Sequence, residues 1–261
     1  MDCLALLKKY TKHKNVAITE SGDAALLAAL KLVRKVNPRK LILIPDQGGW
    51  LTYKDYPKQF GFEVVELRTN RGVINPEVLR QSAVNNAAAL LITSFAGYYA
   101  EQPLKEIINV CKSKGCLVIE DVSGSIGDGT LCNGNLSDII IGSFGKWKIV
   151  DYGKLGFISS NYAFNINSIE GDSKLYDKLR NAGVRLTKLL RLGFNVKADL
   201  EKMGIEVFHS DKRGVNVISA YGDRVIDYCN KNGYEYVICP KYIKVMEKAI
   251  SIELKRKCLV L

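Results

Sequence analysis

The stretch LKEIINVCKSKGCLVIED, residues 104–121, decides the fold that we predict for this chain. Apolar residues recur at helical spacing through 104–111, and a wholly apolar run follows at 116–119. That run ends in two carboxylates, Glu120 and Asp121. An amphipathic helix followed by a strand that is apolar on both faces is typical of a parallel sheet covered by helices on both sides.

The same alternation of strands and helices begins near the N-terminus. Apolar runs predict six further strands, at 16–19, 40–45, 62–67, 88–93, 139–144 and 155–158. Helical patterns predict helices at 23–33, 53–60 and 104–112. Too few residues separate the last two strands for a crossover helix, so one of them is expected to run antiparallel. We therefore predict an α/β fold, a mostly parallel mixed sheet sandwiched by helices.

From about residue 166 the pattern changes to a small α+β arrangement. It begins with a long polar helical stretch at 167–190. The elements predicted after it are a helix at 198–203, strands at 205–209 and 214–218, a helix at 223–231, a strand at 234–239 and a basic terminal helix. The sequence thus predicts a large domain at 1–165 and a small, reduced C-terminal domain at 166–261.

Composition narrows the class of protein. The chain has 261 residues, of which 47% are hydrophobic, and 38 Lys and Arg against 27 Asp and Glu give a formal charge of +11. These numbers exclude disorder, a collagen-like fibre and a disulfide-rich miniprotein. The positive charge fits a nucleic-acid surface, an anionic cofactor or substrate, or a lysine-rich solvated exterior. Because acidic residues interrupt the basic ones throughout, nucleic-acid binding is the least favoured of the three.

The remaining composition bears on location and metals. No apolar stretch is long enough to cross a membrane. Seven scattered cysteines without a C-x-x-C pair predict a reduced, cytoplasmic protein, and two histidines give no basis for a histidine-rich metal site. The last four residues, Cys258 to Leu261, follow three basic residues and have the form of a prenylation box. The alternative is an apolar tail that packs on the body of the protein.

Polar loop elements follow three of the predicted strands at the edge where ligands bind in such sheets. In the first, Ser21 and Gly22 form a turn that opens a helix and presents backbone N–H groups to an anion. The alternative is an ordinary helix start, with Ser21 or Asp23 as N-cap. In the second, Asp121 follows a buried strand and is suited to pair with a cationic ring nitrogen or a metal. A helix cap or a surface salt bridge is the alternative.

The third element is the loop that begins at Ser143 and contains Lys146 and Lys148, followed by Gly153 and Gly156. A lysine between two apolar strands is partly desolvated, which lowers its pKa towards that of a Schiff-base nucleophile. The alternative is a solvated lysine.

Taken together, these three elements resemble the DegT/DnrJ/EryC1/StrS sugar aminotransferases. The resemblance rests on Ser-Gly-x-Ala-Ala-Leu at 21–26, Glu-Asp at 120–121 and the serine-to-lysine loop at 143–148. Gly97 after the preceding strand and Gly-Phe-Asn-Val-Lys at 193–197 extend it, so that it covers about residues 15–200. It implies a pyridoxal-phosphate (PLP) enzyme of the type I fold.

The resemblance also implies roles for individual residues. Lys148 is the Schiff-base lysine, with Lys146 as the competitor, and Asp121 pairs with the pyridinium nitrogen. The remaining cofactor-binding residues that it implies are Ser21, Gly22, Asp23 and Ser143 around the phosphate, Trp50 stacked on the ring, and Asn195 reaching the phosphate of a neighbouring subunit. A homodimer with shared active sites follows from the last of these.

The implied reaction is transamination from an amino donor to a keto acceptor, which in this family is a keto sugar on a nucleotide diphosphate. The chain departs from the family at Asp23, where members have Thr, at Gly124, where they have Gln or His, and at Lys154, where they have Glu. Two alternatives therefore stay open. One is a PLP enzyme of another reaction type, and the other is a catalytically impaired homologue that serves as a binding or partner subunit.

Overall fold

A seven-stranded sheet forms the centre of the computed structural model, which describes residues 2–257. Its order is β1-β9-β8-β7-β4-β2-β3. The seven strands are β1 Asn15–Thr19, β2 Leu41–Pro45, β3 Glu63–Leu67, β4 Ala87–Thr93, β7 Leu117–Asp121, β8 Ile139–Ser143 and β9 Gly156–Ser160. Only β9 runs against its neighbours, as the short connection between β8 and β9 predicted. Two short strands, β5 Phe95–Ala96 and β6 Ala100–Glu101, pair as a hairpin after β4.

Helices cover both faces of this sheet and bury it, except at the edge strand β3, where three of five residues are exposed. Along β4, alternate residues go to opposite sides: Leu91 packs with helix α2, while Leu90 and Ile92 pack with α4 on the other face. All seven residues of β4 are buried. The helices of this part are α1 Cys3–Thr11, α2 Gly22–Val36, α3 Pro76–Gln81 and α4 Leu104–Ser113. The predicted α/β fold is confirmed.

The sequence patterns were wrong or silent at three places in this part. The predicted helix at 53–60 is instead two 3-10 helices, Leu51–Lys54 and Tyr56–Phe60. Pro57 explains this, because a proline lacks the N–H that an α-helix running through it needs. Helices α1 and α3 were not predicted.

The C-terminal part forms a second, three-stranded antiparallel sheet of order β10-β12-β11. Its elements are α5 Ser173–Arg180, α6 Ala182–Lys202, β10 Val217–Ala220, α7 Asp223–Asn232, β11 Tyr236–Ile238, β12 Ala249–Ile252 and a 3-10 turn Leu254–Arg256.

Three predictions for this part are corrected. The terminal helix is absent from 249–257, because the four residues of β12 are all buried as the central strand of the small sheet. The helix predicted at 198–203 is the end of the continuous helix α6. The strand predicted at 205–209 reduces to one bridge between Val207 and Ser219. The prenylation-like residues 258–261 lie outside the described part, and the domain boundary at 165/166 stays a prediction.

Backbone hydrogen bonds connect the C-terminal part to the loop that follows β4. The N–H groups of Val215 and Asn216 both donate to the carbonyl of Tyr98, at 2.8 and 3.0 Å. The N–H of Glu101 donates to the carbonyl of Arg213 at 2.8 Å. The segment that leads into β10 therefore fixes residues at the carboxyl edge of the large sheet. Within residues 2–257, no helix has the length and apolar character to span a membrane.

Gly156 should be intolerant of a side chain, because it lies beneath the first turn of α2. A Cβ there would lie 2.6 Å from the carbonyl oxygen of Ser21 and 2.7 Å from the amide nitrogen of Gly22, both backbone atoms. We expect Gly156→Ala to lower the free energy of unfolding by about 2–3 kcal/mol, measured by urea denaturation. Gly129→Ala is the matched control, since nothing lies within 4 Å of its Cβ. Equal stability losses in the two variants would contradict this packing.

Candidate active site

A cavity of about 130 Å³ lies at the carboxyl ends of β7 and β8, beside the N-terminus of α2. Seven of the eight residues that the sequence predicted for the site line it, and the exception is Asn195. The full lining is Ser21, Gly22, Asp23, Leu26, Trp50, Tyr53, Tyr98, Asp121, Ser123, Ile141, Gly142, Ser143 and Lys148. This is the position where ligands bind in open α/β sheets.

The N-terminus of α2 is one wall of this cavity. Ser21 is the N-cap, and its hydroxyl accepts a hydrogen bond from the N–H of Ala24 at 3.0 Å. Gly22 comes so close to β8 that a Cβ there would lie 2.6 Å from the Cβ of Ser143. The N–H groups of Gly22 and Asp23 precede the first intrahelical hydrogen bond, which is donated by Ala25 to Ser21. The wall therefore presents backbone donors and the positive end of the helix dipole to an anion.

The Asp23 carboxylate turns towards the loop after β2. Its Oδ1 accepts hydrogen bonds from the indole Nε1 of Trp50 at 3.0 Å and from the hydroxyl of Thr52 at 3.1 Å. Asp23 is therefore an anchor for Trp50, and the capping role considered for it belongs to Ser21. A carboxylate at this position is compatible with an anion site because its hydrogen bonds direct it away from the N–H groups of the helix.

Glu120 and Asp121 point to opposite faces of the sheet. Both oxygens of Asp121 are held, Oδ2 by the hydroxyl of Tyr53 at 2.9 Å and Oδ1 by the N–H of Ser123 at 2.8 Å. Glu120 is fully buried and accepts hydrogen bonds from the hydroxyls of two serines. Burial raises the pKa of Glu120 above its ordinary value, although these hydrogen bonds oppose the shift. The Asp121 carboxylate thus faces the cavity, and the Glu120 carboxylate lies in the core.

Lys148 reaches the cavity from the loop that links β8 to β9. Its Nζ donates a hydrogen bond to the hydroxyl of Tyr98 and lies 4.8 Å from the ring centroids of both Trp50 and Tyr98. The predicted lowering of the Lys148 pKa is wrong: burial lowers this pKa, but the Tyr98 hydroxyl and the nearby carboxylates outweigh burial and raise it above its ordinary value. Lys146 is exposed, with its Nζ 4.6 Å from the ring centroid of Trp147. Of the two candidate lysines, the structure brings only Lys148 to the cavity.

Sequence reasoning missed three residues of the site that carry polar groups, Tyr53, Tyr98 and Ser123. Ser123 donates from its N–H to Asp121, and its hydroxyl accepts from the N–H of Ser143 at 2.9 Å. Their only sequence signals were proximity to Asp121 for Ser123 and the preceding Gly97 for Tyr98. Neither signal specifies a contact.

A buried ion cluster of the C-terminal part lies against Tyr98. Lys244, Glu253 and Lys255 are each at most 8% exposed. The Glu253 carboxylate lies 2.7 Å from the Nζ of Lys244 and 3.8 Å from that of Lys255. The Lys255 ammonium also lies 3.5 Å from the centroid of the Tyr98 ring. Burial alone would raise the pKa of Glu253, but the two lysines lower it to about 2.

Asn195 does not belong to this cavity. It lies on an exposed part of helix α6, next to Phe194, whose side chain is 74% exposed. Its predicted contact with a neighbouring subunit stays a prediction.

Comparison with known proteins gives a family and a fold. The model of the DegT/DnrJ/EryC1/StrS aminotransferase family matches residues 5–199, and no curated protein sequence gives a significant match. Among solved structures, ureidoglycine-glyoxylate aminotransferase from Bacillus subtilis is similar with a TM-score of 0.69 and 18% identity, over 95% of this chain and 76% of its own. Alanine–glyoxylate aminotransferase from Nostoc sp. gives 0.70 and 17%, over 95% and 78%.

A third similar structure is SPT with PLP as an internal aldimine, which has a TM-score of 0.69 and 17% identity, over 95% of this chain and 69% of its own. At these identities the three structures establish the fold alone. The family rests on the sequence match.

The anchor between Asp23 and Trp50 can be tested by fluorescence. The chain has two tryptophans, so a Trp147→Phe background isolates Trp50. In that background, we expect Asp23→Ala to increase quenching of Trp50 by acrylamide and to lower the free energy of unfolding by about 1–2 kcal/mol, because two hydrogen bonds are lost. The matched control is Asp55→Ala, which removes an exposed carboxylate paired with Lys58. Unchanged quenching in Asp23→Ala would show that Trp50 is held by other contacts.

The pKa of Glu253 predicts loss of stability in acid. Its folded-state pKa lies below the ordinary value, so its contribution is fully present above pH 4.5 and is lost as the pH falls towards 2. We expect Glu253→Gln to lower the free energy of unfolding by about 3 kcal/mol at pH 7 and by much less at pH 3. Urea denaturation at both pH values measures this, with the exposed Glu235→Gln as control. A deficit independent of pH would contradict the assignment.

Proposed function

The chain belongs to the DegT/DnrJ/EryC1/StrS aminotransferase family and is therefore a PLP-dependent aminotransferase, and we propose that Lys148 is the lysine that bonds covalently to its cofactor. One observation carries this proposal. The Lys148 amine lies in the same cavity as a helix N-terminus, an indole ring and the Asp121 carboxylate. These are the groups needed to hold a phosphate, an aromatic ring and a protonated ring nitrogen.

The residues present fit PLP on the grounds of their chemistry. The phosphate would be held by the N–H groups of Gly22 and Asp23 with the hydroxyls of Ser21 and Ser143, all of which line the cavity. Trp50, held by Asp23, offers a flat face to the ring. When bound, PLP supplies an electron sink that stabilises negative charge at a substrate carbon.

Asp121 would bind the proton of the ring nitrogen. Because hydrogen bonds from Tyr53 and Ser123 fix both of its oxygens, the carboxylate keeps its orientation without help from the ligand. Lys148 would act as the nucleophile and as the base that accepts and returns a proton at the substrate carbon. Trp50 and Tyr98 on either side of its amine keep bulk water away from that atom.

We infer that the substrates are a small amino donor and a keto acceptor, with a keto sugar on a nucleotide diphosphate as the acceptor. The family match supports this class, and the charge of +11 suits a phosphate-bearing substrate. The six buried free cysteines of the described part fit a protein of the reducing cytoplasm.

We further propose a homodimer with shared sites. Phe194 and Asn195 support it, because an aromatic side chain exposed to 74% on a helix is the kind of surface that a second copy covers. Asn195 would then approach the cofactor phosphate of the partner copy. The small C-terminal domain that we propose for 166–261 supplies the helix carrying both residues.

The sequence left two alternatives, a PLP enzyme of another reaction type and a catalytically impaired partner subunit, and the family match favours the aminotransferase over both. The second draws support from Gly124, which brings no side chain to the cavity where family members carry Gln or His. A test of PLP binding distinguishes an impaired partner subunit, which would not bind the cofactor, from either kind of enzyme, which would.

Absorbance spectroscopy tests the role of Lys148. Mixed with PLP, the purified protein should develop a visible band that disappears on borohydride reduction. Lys148→Ala should lack the band, and Lys146→Ala should keep it, because the Lys146 side chain is exposed outside the cavity. No band in the wild-type protein would favour the partner-subunit alternative. A band that survives in Lys148→Ala would contradict the choice of lysine.

A further inference from the structure

We propose that Tyr98 is a positioning residue for Lys148. Its ring fills the space above Gly124, and its hydroxyl holds the Lys148 amine whether or not that amine carries a proton. The proposal rests on Lys148 being the reactive lysine. Three observations support it: the steric match between Tyr98 and Gly124, the contacts that the C-terminal part makes with Tyr98, and the charges around the Lys148 amine.

The steric match is between Tyr98 and Gly124. A Cβ on Gly124 would lie 2.8 Å from Cδ1 and 3.2 Å from Cε1 of the Tyr98 ring. The ring thus occupies the space that any side chain at position 124 would enter. Tyr98 also has a φ of 68°, which is uncommon for a bulky residue and follows directly on the left-handed Gly97. Backbone conformations of this kind persist where the surrounding structure enforces them, and they cluster at active sites.

The C-terminal part enforces this conformation. The carbonyl of Tyr98 accepts the N–H groups of Val215 and Asn216, and the backbone N–H of Lys255 donates to the side chain of Asn216 at 3.4 Å. The Lys255 ammonium lies 3.5 Å from the centroid of the same ring that carries the hydroxyl in contact with Lys148. Tyr98 is therefore held through both its backbone and its ring.

Charged groups surround the Lys148 amine on all sides. Asp121 and Asp23 face it from β7 and α2 and favour its protonated form. Lys244 and Lys255 of the C-terminal cluster lie near enough that the charge of Lys148 lowers the pKa of each of them. The Glu253 carboxylate lies close to both lysines and offsets their positive charge.

Tyr98 is the one group among these that hydrogen-bonds to the amine in the described part of the chain. Burial raises the pKa of the Tyr98 phenol, so the hydroxyl keeps its proton. A neutral phenol accepts a hydrogen bond from an ammonium group and donates one to a neutral amine, with no net transfer of a proton. The Lys148 nitrogen therefore stays in place when it changes protonation state.

Reductive methylation of the cofactor-free chain with formaldehyde and cyanoborohydride tests the hydroxyl. Only the neutral amine reacts, so methylation of Lys148 against pH, read by peptide mass spectrometry, gives the midpoint for loss of its proton. Tyr98→Phe keeps the ring and removes the hydroxyl, which binds the charged ammonium form more strongly than the neutral amine. We therefore expect the midpoint to move down by about one pH unit, which is a tenfold gain in neutral amine at a given pH. The control is Tyr99→Phe, whose buried hydroxyl donates to the carbonyl of Arg71. An unchanged midpoint in Tyr98→Phe, or an equal shift in the control, overturns the proposal.

A double-mutant cycle tests the steric match and covers the case in which Tyr98→Phe folds poorly. Asn tolerates a positive φ, so Tyr98→Asn removes the ring at little backbone cost. We expect Gly124→Ala to lower the melting temperature in the wild-type background and to leave it unchanged or raise it in Tyr98→Asn. Equal losses in both backgrounds overturn the steric match. Neither experiment uses PLP, so failure of cofactor binding and failure of this inference give different results.

Discussion

The site depends on the close approach of the first turn of α2 to the ends of β8 and β9. Gly22 and Gly156 make this approach possible, because a Cβ on either would lie within 2.7 Å of atoms of the opposing element. The approach brings the helix N–H groups beside Ser143 and places Asp23 where it anchors Trp50. It also sets the start of the loop that carries Lys148. Because no side chain separates the two elements, their backbones lie in contact. This contact positions the N-terminus of α2, the ring of Trp50 and the loop that carries Lys148.

The buried and partly buried carboxylates of the chain differ in role: some stabilise the fold, and one faces the cavity. Glu120 is buried in a set of hydroxyl donors, while its neighbour Asp121 is held facing the cavity. Glu253 stabilises two buried lysines that would otherwise be uncompensated. The lysine in contact with the Tyr98 ring belongs to this cluster, so the small sheet and the Lys148 amine are joined through one side chain.

Much of the fold and most of the site could be predicted because they depend on local pattern. The seven strands are apolar runs, and the site residues at 21–23, 121, 143 and 148 follow strand ends within short motifs. Tyr98 could not be predicted, since its position results from Val215, Asn216 and Lys255, which lie more than a hundred residues away in the sequence. The prediction of a helix at the basic C-terminus was wrong for the same reason. Strand β12 forms because it is the buried central strand of a sheet, whereas charge alone suggested a helix.

The bond between Lys148 and the cofactor can be tested by mapping the modified residue. The protein is incubated with PLP, reduced with borohydride, digested and analysed by mass spectrometry. Our account predicts the pyridoxyl mass on Lys148, at one equivalent per chain. A label on Lys146, or labels spread over exposed lysines with none at 148, would contradict it.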